Sequence, residues 1–271
     1  MEIITLMEDT RGEKGCLYEH GLSVYVRSKE RRYLFDFGAS DKILENARAL
    51  GIDLGEVDTA VLSHGHYDHS GGLKAFRSVN QKADIYMMAS AGEKHVHKIR
   101  DVYKDIGIDE TILTLPGITF VDGNRKVNDE LSLFSGVSAR RFPARGNKSL
   151  LMEKNGTYMP DDFAHELYAI LETEGRRILI SGCAHNGIVN ILDACEKLYG
   201  WYPDMVIGGF HMILNHYHPD DIDRVQETGK VLRSIPADFY TGHCTGETAI
   251  DLLKQIMGEK LHVIHSGTRI L

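Results

Sequence analysis

The sequence is poor in features that would place the protein outside the reducing interior of a cell. It has only four cysteines, none of them in a C-x-x-C pair, and no run of roughly 18 apolar residues that could form a membrane span. Residues 1–6 lack the basic residues and the long apolar stretch of a secretion signal. These absences predict a cytoplasmic protein with reduced thiols rather than a disulfide framework, and with no membrane partner.

Positive charge is also scarce. The chain of 271 residues has 31 lysines and arginines against 39 aspartates and glutamates, which gives a net charge of −8. A nucleic-acid-binding surface needs a basic face, so no nucleic-acid partner is expected. No internal repeat is evident, and hydrophobic residues make up 42% of the chain, enough for a sizeable core. We therefore expect residues 1–271 to form a single domain, and a homo-oligomer is compatible with the sequence.

Histidine, by contrast, is concentrated in one short stretch, residues 63–72, with the sequence S-H-G-H-Y-D-H-S-G-G. Neutral imidazole and carboxylate are ligands that borderline divalent cations accept, and packing alone does not account for such a density of them. The stretch follows residues 57–62, which read as a buried strand, and its glycines allow a tight loop before a helix. The candidate ligands of this stretch are His64, His66, Asp68 and His69. We expect them at the carboxyl end of a strand, where open sheets place their sites.

Strands and helices alternate along the rest of the chain. Apolar and alternating runs predict strands at 3–6, 22–26, 33–37, 84–88, 117–121, 131–134, 167–171, 177–181, 205–207, 238–241 and 261–264. Helical periodicity predicts helices at 40–50, 73–79, 188–198, 219–235 and 247–257. A further amphipathic helix is predicted over residues 92–107. His95 and His97 would point to different faces of it, so we expect both to be solvated or half-packed.

Residues 136–166 form the least regular part of the sequence. They contain a basic cluster, Arg140, Arg141, Arg145 and Lys148, within an otherwise acidic protein. Such a loop could hold an anionic substrate over a metal site. A solvated surface loop is the alternative interpretation.

The H-x-H-x-D-H pattern of residues 64–69 resembles the signature of the metallo-β-lactamase superfamily. The resemblance implies that His64 and His66 bind one metal ion (metal 1), and that Asp68 and His69 bind a second (metal 2). The sequence T-G-H at 241–243 resembles the end of the last strand in that superfamily, which implies that His243 also binds metal 2. An early D-x-G at 36–38 resembles its opening. This places Asp36 beneath the site as an acceptor for a ligating histidine, with a simple turn or capping role as the alternative.

The third histidine of metal 1 is where the sequence departs from the superfamily, because residues 110–160 contain no histidine. His185, which follows a predicted strand, is expected to complete the set with His64 and His66. Cys183 stands where the superfamily places an aspartate or cysteine. It is either a thiolate ligand of metal 2 or a small buried residue beneath the site, and the second interpretation is favoured.

Two further strand-end residues need an interpretation. His211 is expected beside the cleft, where it would contact substrate or donate a proton. A capping or orienting role for His211 is the alternative. Cys244 is expected to serve in packing rather than in chemistry.

The ordered motifs L-S-H-G-H-Y-D-H, G-C-A-H-N-G-I-V-N-I, G-G-F-H and T-G-H-C-T-G are similar to one subgroup of the superfamily. The subgroup includes proteins described as 7,8-dihydropterin-6-methyl-4-(β-D-ribofuranosyl)aminobenzene-5′-phosphate synthases, and many metal-dependent hydrolases of unknown substrate. The resemblance implies an α/β fold, the αβ/βα four-layer sandwich, in which two mixed β-sheets pack together with helices on the outer faces.

The same resemblance implies a dinuclear metal-dependent hydrolase with two divalent ions, Zn²⁺ ahead of Mn²⁺ or Fe²⁺. A metal-activated water would attack a small, anionic ester, phosphoester or lactone, with Asp68 orienting it. One alternative is a synthase that joins a dihydropterin diphosphate to an aminobenzene ribotide phosphate. The other is a non-hydrolytic di-iron or metal-binding protein.

Overall fold

Seventeen strands and six α-helices occur among the residues that the computed structural model describes, 1–138 and 141–271. The strands are β1 (Glu2–Met7), β2 (Ser23–Arg27), β3 (Arg32–Phe35), β4 (Thr59–Val61), β5 (Asp84–Met88), β6 (His95–Ile99), β7 (Val102–Asp105), β8 (Ile118–Val121), β9 (Arg125–Lys126), β10 (Leu131–Phe134), β11 (Leu150–Lys154), β12 (Thr157–Pro160), β13 (Tyr168–Thr173), β14 (Arg176–Ile180), β15 (Met205–Ile207), β16 (Asp238–Thr241) and β17 (Leu261–Val263). The helices are α1 (Lys42–Ala49), α2 (Tyr67–Ser70), α3 (Leu73–Val79), α4 (Ile188–Tyr199), α5 (Pro219–Ser234) and α6 (Glu247–Met257).

Two mixed sheets carry the core. The first has the strand order β1-β2-β3-β4-β5-β8, antiparallel up to β3 and parallel beyond it. The second has the order β17-β16-β15-β14-β13-β10-β9, in which β14 to β17 are parallel. Both sheets hold strands that are buried on two faces, as parallel strands covered by helices require.

The layers follow from the alternation of side chains along each strand. In β3, Tyr33 and Phe35 belong to the apolar cluster between the two sheets, whereas Leu34 points to the opposite cluster, under α1 and α3. A third cluster packs α4, α5 and α6 against the outer face of the second sheet. The order helix, sheet, sheet, helix confirms the predicted four-layer sandwich.

A third sheet, of four strands in the order β12-β11-β6-β7, was not predicted. The helix predicted over residues 92–107 is wrong, because β6 and β7 form an antiparallel hairpin there, with Ile99 opposite Val102. The β-branched residues of this segment fit a pleated strand, and Arg100 adopts a left-handed conformation (φ 56°) in the tight turn. Residues 136–166 likewise contain β11 and β12, so this part of the chain is more regular than expected.

The longest helix is α5, of 16 residues. Among residues 1–138 and 141–271, no helix combines the length and apolar character needed to cross a membrane.

Candidate metal centre

The histidine-rich stretch, residues 63–72, begins at the carboxyl end of β4 and leads into α3, as the sequence predicted. The short helix α2 within this stretch was not predicted. Two of the three glycines in the stretch, Gly71 and Gly72, are required by close contacts rather than by unusual dihedral angles. A Cβ atom at Gly71 would lie 2.0 Å from the carbonyl oxygen of Ala39, and one at Gly72 would lie 2.1 Å from that of Phe37. The loop is therefore pressed against the chain that follows β3, which fixes the direction of its side chains.

The three histidines expected to hold metal 1 come together in the structure. The ring centroids of His64 and His66 are 4.6 Å apart, and His185 lies 5.0 Å from the first and 4.9 Å from the second. Burial lowers the pKa of each ring well below its usual value, so all three are neutral, the form that binds metal ions. Their Nε2 atoms are buried without a partner in the described part of the chain. A divalent ion fits this donor set, since unpartnered buried nitrogens otherwise cost about 1–3 kcal/mol each.

The donors expected for metal 2 form a second group beside the first. One donor atom from each of Asp68, His69, Cys183 and His243 lies within 4.8 Å of the others. His69 Nε2 is 3.2 Å from His243 Nε2, and Asp68 Oδ2 is 3.3 Å from His243 Nε2. Burial raises the pKa of Asp68, but the neighbouring His69 and His243 outweigh it and hold that pKa well below its usual value. Asp68 is therefore ionised, as a metal-ligating carboxylate must be.

A carboxylate, buried in one case and half-buried in the other, sets the tautomer of each metal 2 histidine. His69 Nδ1 donates to Asp36 Oδ2 at 2.7 Å, and His243 Nδ1 donates to Asp9 Oδ1 at 2.6 Å. With the proton on Nδ1, each Nε2 keeps its lone pair for a metal ion. Asp36 thus occupies the position expected from its sequence context, whereas no sequence motif indicated a role for Asp9.

Cys183 lies among the metal 2 donors rather than merely beneath them. Its Sγ is 3.1 Å from His69 Nε2, and its side chain is almost completely buried. The geometry makes a thiolate ligand available at this position, the interpretation that the sequence placed second.

A third group of metal-binding residue types was missed by the sequence analysis. His95, expected to be solvated or half-packed, is fully buried, and its Nδ1 donates to Asp161 Oδ2 at 2.7 Å. Nearby, His165 Nδ1 accepts a hydrogen bond from the backbone N–H of Gly65 at 2.9 Å. Donor atoms of His95, Asp161 and His165 lie within 4.8 Å of one of His66. In β6 His95 and Val96 are both buried while Lys98 and Ile99 are both exposed, so no alternation along the strand indicated that His95 faces inward.

A cleft of about 450 Å³ opens above both metal groups. His66, Asp68, Cys183 and His185 form part of its lining, together with the half-buried His211, whose ring lies 4.0 Å from that of His185. His211 therefore lies beside the cleft, as expected.

The described members of the predicted basic cluster, Arg141, Arg145 and Lys148, do not line this cleft. Arg141 pairs with Asp193 at 3.0 Å, and Arg145 forms an ion pair with Asp221. Lys148 lines a neighbouring cavity, and Arg140 lies outside the described residues. The positive group that does line the cleft is Lys104 of β7, from the hairpin that the sequence analysis took for a helix.

Comparison with known proteins agrees with this geometry. Residues 19–231 match the metallo-beta-lactamase superfamily, and the chain belongs to that superfamily. It is 28% identical to the 7,8-dihydropterin-6-methyl-4-(beta-D-ribofuranosyl)-aminobenzene-5'-phosphate synthase of Methanocaldococcus jannaschii, over 98% of this chain and 95% of that protein.

Solved structures of other proteins have the same fold. A crystal structure of a metal-dependent hydrolase of the beta-lactamase superfamily is 29% identical, with a TM-score of 0.83, over 100% of this chain and 98% of the other. Zn²⁺-bound PqqB from Methylobacterium extorquens shares the fold alone, at 14% identity and a TM-score of 0.61, with complete coverage of both chains. The family and the clustered donors together support metal binding at this site.

Proposed function

We propose that the protein is a metal-dependent hydrolase that acts on a small anionic ester, phosphoester or lactone. It would bind two divalent ions, with Zn²⁺ preferred over Mn²⁺ or Fe²⁺. The observation that carries the proposal is the pair of adjacent donor groups on the floor of one open cleft. A purely structural metal site would be closed by protein ligands, whereas these donors leave room for a substrate.

The donor residues form two groups, one for each metal ion. His64, His66 and His185 would hold metal 1, while Asp68, His69, His243 and Cys183 would hold metal 2. Divalent ions bound there supply Lewis-acid polarisation of a substrate oxygen and lower the pKa of water.

Other side chains orient the metal ligands or attract the substrate. Asp36 and Asp9 fix the rings of His69 and His243, so the donor directions are set before any substrate arrives. Lys104 places a positive charge on the cleft wall, in a chain whose net charge is negative, and so favours an anionic substrate. His211 lies close enough to His185 to contact a substrate that occupies the cleft.

A synthase is the second candidate, favoured by the similarity to the Methanocaldococcus jannaschii enzyme over nearly the whole length of both chains. In that reaction type the same site would activate a diphosphate leaving group instead of water. The fold and the donor residues serve either chemistry, so the substrate decides between them.

Turnover of a substrate panel by metal-loaded protein tests the proposal. Phosphoesters, lactones and a dihydropterin diphosphate with its aminobenzene ribotide partner would be supplied to wild type, Asp68→Ala and the control Asp251→Asn. Asp251 is an exposed carboxylate on α6. We expect hydrolysis of at least one ester, lost in Asp68→Ala and retained in Asp251→Asn. Condensation of the pterin pair without ester hydrolysis would favour the synthase, and equal turnover by Asp68→Ala and wild type would refute the role given to Asp68.

A further inference from the structure

Three neighbouring parallel strands end in residues with soft or borderline metal-binding side chains. Ile180 of β14, Ile207 of β15 and Tyr240 of β16 are paired in register across the second sheet. Each strand is followed, three or four residues later, by Cys183, His211 or Cys244. Nearly equal offsets from strands in register bring the three side chains to one edge of the sheet.

The three side chains meet at that edge. One donor atom from each of Cys183, His211 and Cys244 lies within 4.8 Å of the other two. The Nδ1 atom of His211 is buried and has no hydrogen-bond partner within residues 1–138 and 141–271. Both thiols are free and almost completely buried, so neither is used in a disulfide.

The loops that carry the three side chains are held to one another by their backbones. The N–H of Gly209 donates to the carbonyl oxygen of Gly182 at 2.7 Å, and those of Met212 and Ile213 both donate to the carbonyl oxygen of Cys244 at 3.0 Å. A Cβ atom at Gly209 would lie 2.3 Å from Cys244 Sγ, so only glycine leaves room for that sulfur. The three donors are therefore fixed in place before any ion binds.

We propose that Cys183, His211 and Cys244 form a third site, for a thiophilic ion, Zn²⁺ by preference, which shares the Cys183 thiolate with metal 2 of the proposed function. Two thiolates and one imidazole form a donor set that zinc uses with a fourth position left open. All three residues line the cleft, so an ion has a path to them. Cys183 is also 3.1 Å from His69 Nε2 and stands at the junction with metal 2, whereas His211 and Cys244 belong to this site alone.

Cadmium loading tests the site, because Cd²⁺ reports sulfur ligands through its ultraviolet charge-transfer absorption and its ¹¹³Cd chemical shift. Wild type would be compared with Cys244→Ala and His211→Ala, and with Cys195→Ala as control. Cys195 is a buried thiol on α4, within the helical cluster rather than at the cleft. We expect both site variants to bind one equivalent of Cd²⁺ fewer than wild type and to lose the ¹¹³Cd signal of a two-sulfur site, while Cys195→Ala matches wild type.

The inference does not depend on the hydrolase proposal. Asp68→Ala should weaken metal 2 and leave the two-sulfur ¹¹³Cd signal in place, whichever substrates the protein turns over. Full Cd²⁺ stoichiometry and an unchanged ¹¹³Cd spectrum in Cys244→Ala would overturn the inference. If that variant fails to fold, as judged by far-ultraviolet circular dichroism, His211→Ala replaces it in the test, because His211 is only half-buried. Loss of one Cd²⁺ equivalent in His211→Ala would then support the inference, and full stoichiometry with an unchanged spectrum would overturn it.

Discussion

Asp36→Asn tests whether a buried carboxylate decides which nitrogen of His69 is free for a metal ion. Asp36 accepts three hydrogen bonds, from the Ser63 N–H, the Ser63 hydroxyl and His69 Nδ1, each 2.7 Å long. Its backbone φ of 59° is one that asparagine also tolerates, so the substitution introduces no backbone strain. An amide group, however, must place a donor where the carboxylate had an acceptor.

With the amide NH₂ toward His69, Nδ1 would have to accept, which moves the ring proton to Nε2 and blocks the nitrogen that faces metal 2. With the opposite orientation, the buried Ser63 N–H would lose its acceptor, at about 1–3 kcal/mol. Loss of a partner that orients a metal ligand typically costs about 10–100-fold in metal affinity, or about 1.4–2.7 kcal/mol. We expect Asp36→Asn to weaken metal 2 within that range and to spare metal 1.

The assay is a competition titration of Zn²⁺ against a chromophoric chelator, with Asp41→Asn as the matched control. Asp41 occupies the N-cap position of α1, is exposed, and its side chain makes no capping hydrogen bond. If the Tm of apo Asp36→Asn fell while its Zn²⁺ affinity at metal 2 stayed equal to that of wild type, Asp36 would serve folding alone. That result would refute the tautomer argument.

Three further predictions concern other parts of the cleft. His185→Ala should lower the affinity for metal 1 by more than the roughly 10–100-fold that the loss of an orienting partner costs, whereas His211→Ala should leave metals 1 and 2 bound. If Zn²⁺ titration showed the reverse, His211 and not His185 would be the ligand of metal 1. Lys104→Ala should raise the KM of an anionic substrate by up to about fivefold, since an exposed charge pair contributes up to about 1 kcal/mol, and Arg145→Ala should not; equal KM changes would contradict this. The hydrogen bonds to Asp161 outweigh its burial and hold its pKa below the usual value, so its stabilisation is present at neutral pH and is lost as the pH falls below about 4. Asp161→Asn should therefore show a shallower fall of Tm on acidification than wild type, and parallel Tm curves would count against this.

The fold was predictable where local pattern and tertiary environment agree. Buried parallel strands such as β14 and β15 are short apolar runs in the sequence. The position of the histidine-rich stretch after β4 was predictable because its glycines and histidines directly follow an apolar run. The failure at β6 and β7 has a physical cause. Their apolar residues also satisfy helical spacing, and the pairing of β6 with β7 and with β11 selects the extended form. Because His95 is carried by β6, the same error concealed its burial.

The grouping of Asp68, His69 and His243 and the position of Asp36 could be predicted from sequence motifs, whereas Asp9 and Asp161, the partners of His243 and His95, could not. His69, His243 and His95 each donate Nδ1–H to a buried or half-buried aspartate, at 2.7, 2.6 and 2.7 Å. The aspartates are 33, 234 and 66 residues away in the chain, so no spacing rule connects the partners.

The shared geometry of these pairs also bears on His95. An Nδ1–H held by a carboxylate leaves the lone pair on Nε2, and for His69 and His243 that lone pair faces the metal 2 donors. In His95 the same lone pair is buried, with no partner in the part of the chain that the structure describes. A donor must satisfy it, because an unpartnered buried acceptor would cost about 1–3 kcal/mol. The ring of His95 lies next to that of His66 in the histidine-rich stretch, and its Nε2 lone pair is free of partners among the described residues. We therefore count His95 as part of the candidate metal centre and not only of the core.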